Sequence, residues 1–456
     1  MKNLWILTEE RPKQEVISTI VEKFAVDRHL GFSSRDPVHI LPIISNGRFT
    51  FTYQVNGICC EDVNTIFIKS VSGGSSFVDF LVFYQDECPS PSDEPIYAIE
   101  ETKTDDKESR NTGVYQRCSK FVFINFYYPH VKKIMLYNLK VGQAGESTDT
   151  YIFGTRMLMT FNVEILGKQL DPNIFKPFET LEELIELKNR MQPPRSKKNI
   201  PIRIRQEVNH ITISGQLIKS GQLAHDPNIG ALTMISQCLR ILGWDNDIII
   251  TKHGLAQGNV GKNNKFLRIA NQINIGLEGV TVPHSELPKA YWKYTTETEK
   301  LGTIFIHLLV EAFTNAYAIY ENHAGCERGY FETPLGEYLA LEKYLDGDKS
   351  QQVFIPDLIL FDGDRNEIII IEGKTFEKRK EGIEQLGNYD LLENAYIRRH
   401  YNSQQIIRTV VTYGSQETDI TEPEIGFMLT KDGIPVLGRQ APQIFTDAVN
   451  SMLASS

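Results

Sequence analysis

Cysteine is scarce in this chain. Its 456 residues hold six, at Cys59, Cys60, Cys88, Cys118, Cys238 and Cys326, and only the first two are close together. That density excludes a disulfide scaffold, and no C-x-x-C or zinc-finger spacing occurs. His323 and Cys326 form an H-x-x-C with no second half, read as coincidence. Long apolar runs are missing too. Nothing approaches 18 uncharged apolar residues, and Leu4–Leu7 is too short for a signal segment and is followed by Glu9 and Glu10. The expectation is a protein of a reducing, prokaryotic cytoplasm with no membrane partner. An excess of positive charge is also absent: Lys and Arg number 48 against 58 Asp and Glu, a formal charge of −10. This argues against a sequence-blind nucleic-acid coat, whose affinity comes from neutralising phosphates. It leaves open a protein that holds metal with carboxylates and meets DNA locally. Gly254, Gly258, Gly261 and Lys262 lack the phosphate-loop spacing, and neither G-x-S-x-G nor H-E-x-x-H occurs.

What is present is an ordinary globular composition, 41% hydrophobic and 23% charged, long enough for two or three units. Val16, Ile17, Ile20, Val21 and Phe24 form a helical stripe opened by Pro12, and short β-like runs follow. Thr180 with Glu183 makes a capping box for a helix at 181–191. Between Lys188 and Arg205 lie seven Lys/Arg, three Pro and no acid, which reads as a basic linker. The segment from Ile248 to Leu277 is also free of acids and carries seven side-chain amides. A long helix is expected over 298–322, a strand over 353–361, a strand over 367–372, a helix over 377–400 and a strand over 406–413. The domain expectation is 1–170 as one α/β unit, 171–205 as helix and basic linker, 206–290 as a separate region holding the acid-free, amide-rich stretch, and 291–456 as a second α/β unit.

Chemistry concentrates at two strand ends. In the C-terminal half, Pro356-Asp357 opens a strand, a polar turn Asp362–Asn366 follows, and Ile368–Ile371 leads into Glu372-Gly373-Lys374. Period-two geometry sets Glu372 and Lys374 on one face, and a hairpin brings Asp357 beside them. Two acids and a lysine at a buried strand end are costly unless paired or bound to a cation. Two carboxylates make a hard-oxygen site suited to Mg²⁺, which also accepts phosphate oxygens. The N-terminal half repeats the pattern with Asp79 and Glu100-Glu101-Thr102-Lys103.

An Asp, a variable gap and then Glu-x-Lys resembles the signature of the PD-(D/E)XK nuclease superfamily, here at Asp79/Glu101/Lys103 and Asp357/Glu372/Lys374. Gln385 and Tyr389 resemble the Q-x-x-x-Y helix of RecB-like members. Gln116 sits at a comparable offset in the first copy, with Lys120 where the Tyr falls and Val78 in place of the Pro. The resemblance implies an α/β (α+β) fold of two such units, each a mixed central sheet flanked by helices. It implies a Mg²⁺-dependent, sequence-specific endonuclease on double-stranded DNA, similar to a type II restriction enzyme and working as monomer or homodimer. Asp79, Glu101, Asp357 and Glu372 are then the metal ligands, and Lys103 and Lys374 act on the attacking water. An earlier helical acid, Glu15 or Glu22 for the first site and Glu311 for the second, is a further candidate. His307, one turn before Glu311, reads as a packed or hydrogen-bonded histidine. For DNA contact the candidates are Lys252, Lys262, Asn263, Asn264, Lys265 and Arg268, able to reach bases or phosphates, and Arg195, Lys197 and Lys198 for the backbone. Alternatives are a repair or defence nuclease with one decayed unit, and a DNA-binding protein without activity.

Overall fold

A computed structural model describes the chain except for residues 73–75, 103–112, 140–146, 193–199, 219–225, 263, 295–297, 324–328, 402–404 and 456. It is an α/β protein of mixed sheets flanked by helices. No helix among the described residues is long and apolar enough to cross a membrane. The chain divides into two compact units: residues 1–72, 84–88 and 294–456 form the first, and 73–83 with 89–293 form the second.

This division departs from the sequence expectation, which grouped 1–170 together. In the first unit the strand Lys2–Thr8 pairs in parallel with Val63–Ser70, and the sheet continues through the antiparallel Arg48–Cys60 and Phe32–Ser45. Phe49 then ties this N-terminal sheet to the C-terminal segment. Its N–H donates to the Gly433 carbonyl at 2.8 Å, and its ring meets Phe305, which stacks on Phe427. Aromatic burial over this seam, invisible to a reading of local periodicity, assigns the first 72 residues to the C-terminal unit.

The C-terminal part of that unit carries a six-stranded sheet. Tyr317–Glu321, Leu358–Asp362 and Glu367–Thr375 form an antiparallel meander, Gln405–Tyr413 and Ile425–Leu429 add in parallel, and Pro435–Leu437 closes antiparallel. The four isoleucines Ile368–Ile371 are fully buried, as a central strand covered on both faces requires. The long helix expected over 298–322 is shorter, Lys300–Phe313. Thr314 leaves helical geometry with φ −140°, and Tyr317-Ala-Ile-Tyr, rich in strand formers, becomes the first strand of the meander instead.

In the second unit, Phe80–Gln85 (its portion up to Phe83) pairs antiparallel with Tyr97–Thr102, then Lys132–Tyr137 and Val163–Leu166 follow in parallel. A separate sheet holds Arg203–Gln206, His210–Ser214, Asp247–Thr251 and Ile275–Leu277, the last three parallel. Helix Gly113–Asn125 crosses helix Asp226–Ile241 at Gly230, where a Cβ would stand 1.6 Å from the Tyr115 carbonyl oxygen. Only glycine permits that approach, and it holds the first helix in place.

Candidate active site

In the first unit the hairpin register pairs Leu358 with Ile371. One step further, Asp357 faces Glu372, as the sequence spacing predicts. Asp357 Oδ2 accepts the Gly373 N–H at 2.7 Å. A Cβ at position 373 would lie 2.6 Å from Thr303 Cγ2 and 3.0 Å from that Asp357 oxygen, so glycine is what lets the carboxylate sit against the strand. Lys374 Nζ donates to Glu372 Oε1 at 2.5 Å, and the buried Tyr389 hydroxyl donates to Glu372 Oε2.

Tyr389 reaches that oxygen because the helical segment after the strand is broken. Instead of one helix over 377–400, Arg379–Leu386 ends at Gly387, and short turns with a π-helical stretch at Glu393–Ile397 follow. Arg408 clamps this segment to strand Gln405–Tyr413, donating to Glu393, Asp390 and the Leu386 carbonyl. The Gln385 Oε1 is buried with no hydrogen-bond partner among the described residues.

Electrostatics follow from crowding. Burial, then the charge of Glu372, pushes Asp357 up to about 7, against the Gly373 N–H and Lys374, which pull it down. Burial disfavours the Lys374 ammonium, but its bond to Glu372 and the neighbouring carboxylates hold its pKa above the ordinary value. Burial and then Glu372 raise the Tyr389 hydroxyl, so it stays a proton donor. A third acid acts on both Asp357 and Lys374: Glu299, just before helix Lys300–Phe313. The sequence candidate Glu311 does not take this part. It lies twelve residues further along, about 18 Å at 1.5 Å per helical residue, bound to Arg11, Gln14 and His307. Only the direction in which the helix runs separates the two acids, and periodicity does not report it.

In the second unit the same hairpin register pairs Phe80 with Ile99, so Asp79 faces Glu100. Asp79 Oδ2 accepts the Glu101 N–H at 2.7 Å, the bond Asp357 makes to Gly373. Position by position, Glu100 therefore corresponds to Glu372, Glu101 to Gly373 and Thr102 to Lys374. The spacing reading placed the motif one residue late. Glu101, expected as a ligand, instead accepts from Asn138 Nδ2 at 3.0 Å. Lys103 lies outside the described residues.

A lysine is nonetheless present. Lys120 Nζ, from helix Gly113–Asn125, sits 2.7 and 2.9 Å from the two Glu100 oxygens and 3.5 Å from Asp79 Oδ1. It occupies the sequence place of Tyr389, and like Tyr389 it bonds the strand-end glutamate. Burial, then Asp79, raises Glu100 to about 8, while Lys120 and Arg117 work in the opposite direction. The two acids hold the Lys120 pKa above its ordinary value despite burial. The Glu100-to-Lys120 pairing was missed because Glu101-x-Lys103 offered a ready match. The signal that reveals it is register: the residue opposite Asp79, counted back from the hairpin. Gln116 is exposed, and Glu15 and Glu22 belong to the first unit's helix Gln14–Arg28.

The expected DNA-contact residues divide. Arg195, Lys197, Lys198 and Asn263 lie outside the described residues. Lys252, Lys262 and Asn264 are exposed, and Lys265 and Arg268 are half-buried on helix Asn264–Gln272. Packing accounts for much of the acid-free character of this stretch. Ile248 and Ile250 are fully buried in a parallel strand, and Gln257 and Asn271 hydrogen-bond the backbone of Thr281 and Pro283. Lys188, placed in the basic linker by composition, is buried in helix Leu181–Arg190 and lies over Phe153.

Both sites thus present paired, mostly buried carboxylates at a hairpin end, one of them clasped by a backbone N–H, with an ammonium against the other. No protein-family model, curated protein or solved structure matches the chain.

Proposed function

We propose that the chain is a divalent-metal-dependent endonuclease of double-stranded DNA with two phosphodiesterase centres, Asp357/Glu372/Lys374 and Asp79/Glu100/Lys120. The observation that carries this is the repeated clasp. In each unit an Asp Oδ2 accepts a strand N–H at 2.7 Å beside a glutamate bonded to a lysine. Two unrelated strand-end ion pairs have no reason to share register, clasp and lysine contact. Topology adds support, since each hairpin is extended by a parallel strand reached through a helix.

The donor set fits Mg²⁺. Carboxylate oxygens are its preferred ligands, and burial first, then the neighbouring carboxylate, raises Asp357 and Glu100, penalties on the anion that a bound cation relieves. Asp357 and Glu372 would hold the ion in the first unit, and Asp79 and Glu100 in the second. When bound, Mg²⁺ offsets charge on the scissile phosphate and acidifies a water. The chain does the rest. The backbone clasp fixes one carboxylate oxygen so that the other points into the site. Lys374 and Lys120 would orient the attacking water and steady the negative charge that develops on phosphorus oxygens. Tyr389 holds the Glu372 rotamer.

The reading resembles a type II restriction enzyme, with each centre cutting one strand. Mixed-sequence plasmid and phage DNA incubated with protein and Mg²⁺, or with EDTA, tests it. Fragments of discrete size only with Mg²⁺ support a site-specific endonuclease, and a smear supports a non-specific one. Intact DNA with both Mg²⁺ and Mn²⁺ overturns the enzyme reading in favour of a DNA-binding protein whose acid–lysine clusters are structural.

A further inference from the structure

We infer that the first unit carries a separate transition-metal site, of the Zn²⁺ class, formed by His307, His323 and Glu321. These residues come from helix Lys300–Phe313, from the end of strand Tyr317–Glu321 and from the turn after it. Their ligand atoms all lie within 4.8 Å of one another. His307 Nδ1 stands 3.0 Å from His323 Nε2 and 3.8 Å from Glu321 Oε2. Tetrahedral Zn²⁺ with bonds of about 2.05 Å requires donor–donor separations of about 3.3 Å, which the two observed distances bracket. His307 is fully buried and His323 is 9% exposed, so both imidazoles are held by packing in the positions from which they would bind an ion.

The outer contacts point the same way. His307 Nε2 lies 3.1 Å from Glu311 Oε1. A carboxylate accepts only, so Nε2 carries the hydrogen and Nδ1 turns its lone pair toward His323 and Glu321. This carboxylate–histidine arrangement is the one that fixes tautomer and orientation in metal-binding histidines. Glu311 is itself held by Arg11 and by Gln14 at 3.2 Å, and Arg11 also steadies Glu321 at 3.0 Å. Without metal, His323 Nε2–H donates to His307 Nδ1. With metal, His323 moves its proton to Nδ1, so no net proton leaves. Two imidazoles and one carboxylate suit Zn²⁺ rather than Mg²⁺, whose sites are all oxygen. Three protein donors leave one position for water. The site joins a helix to the edge of the meander, so a bound ion cross-links the two.

The full chain, stripped with EDTA and dialysed, is titrated with Co²⁺ and read by visible ligand-field absorption, then challenged with Zn²⁺ in competition with a chromophoric chelator. One equivalent of Co²⁺ is expected, displaced by Zn²⁺, with a Zn²⁺-dependent rise in melting temperature. His307→Ala and His323→Gln lose the band and the rise, the second variant serving if the first does not fold. Glu311→Gln weakens affinity about 10- to 100-fold. The Asp79→Asn/Asp357→Asn double variant keeps the band in full, so failure here and failure of the nuclease reading are separate results. A folded wild type with neither band nor melting shift, or His323→Gln binding as tightly as wild type, overturns the site in favour of a buried hydrogen-bonded cluster.

Discussion

Replacing Lys120 by alanine tests the register argument where it departs most from the motif. Among the described residues Lys120 Nζ is the cation closest to Glu100, at 2.7 and 2.9 Å, and it also reaches Asp79. A positioned group that handles the proton of attacking water contributes about 10²- to 10⁴-fold, or about 3–5 kcal/mol at 1.36 kcal/mol per tenfold. Removing it also leaves two acids close together, but Lys120 is one of the groups that hold Glu100 down from a value already raised to about 8, so without it Glu100 stays neutral near pH 7 and the loss of stability is limited. Circular dichroism and melting confirm the fold before activity is read. On supercoiled plasmid with Mg²⁺, wild type proceeds to linear DNA, while Lys120→Ala stops at open circles cut by the Lys374 centre. Lys103→Ala stays within about twofold of wild type, as expected if Lys120 supplies the ammonium of this centre. If Lys103→Ala nicks and Lys120→Ala linearises, the assignment is reversed and the spacing reading is restored.

Other perturbations act on single contacts. Tyr389→Phe removes the donor to Glu372 Oε2; a hydrogen bond to a charged group is worth about 1.5–3 kcal/mol, so cutting by the first unit falls about 10- to 100-fold in single-turnover assays, with the second unit unaffected. Gly373→Ala drives a Cβ to 2.6 Å from Thr303 Cγ2 and costs about 1–3 kcal/mol of stability; Thr303→Ala added to it restores part of the melting temperature, and no restoration speaks against the packing account. Burial lowers Lys188 to about 8, so the unfolded chain binds its proton up to about 10.4 and the folded chain does not. Stability therefore rises with pH between about 8 and 10.4, and the full penalty of about 3 kcal/mol applies below 8. Urea unfolding of Lys188→Met at pH 7 gives a more stable protein without that slope, and an unchanged slope contradicts it.

Much of the C-terminal site was legible because its logic is local. The polar turn Asp362–Asn366 and the run Ile368–Ile371 define a hairpin, and counting back from the turn sets Asp357 opposite Glu372. The first copy has a longer turn, so the count failed there and motif spacing filled the gap one residue late. Helix direction escaped too: Glu299 precedes the helix that carries Glu311, and only its docking decides which acid acts on Asp357. The unit boundary was illegible for a different reason. Phe49, Phe305 and Phe427 meet across hundreds of residues, and no periodicity carries such contacts. Charge was ambiguous in the same way, since the acid-free run 248–277 reflects a buried strand as much as a surface.

The central claim, one strand per centre, is tested most directly by strand-resolved cleavage. A duplex containing a mapped cut site, labelled differently on its two strands, is treated with wild type, Glu100→Gln and Glu372→Gln under single-turnover conditions with Mg²⁺. The account predicts that wild type cuts both strands, and that each variant cuts one strand at the wild-type rate and spares the other, the spared strand differing between the two. Both strands cut normally by either variant, or both spared by each, contradicts it.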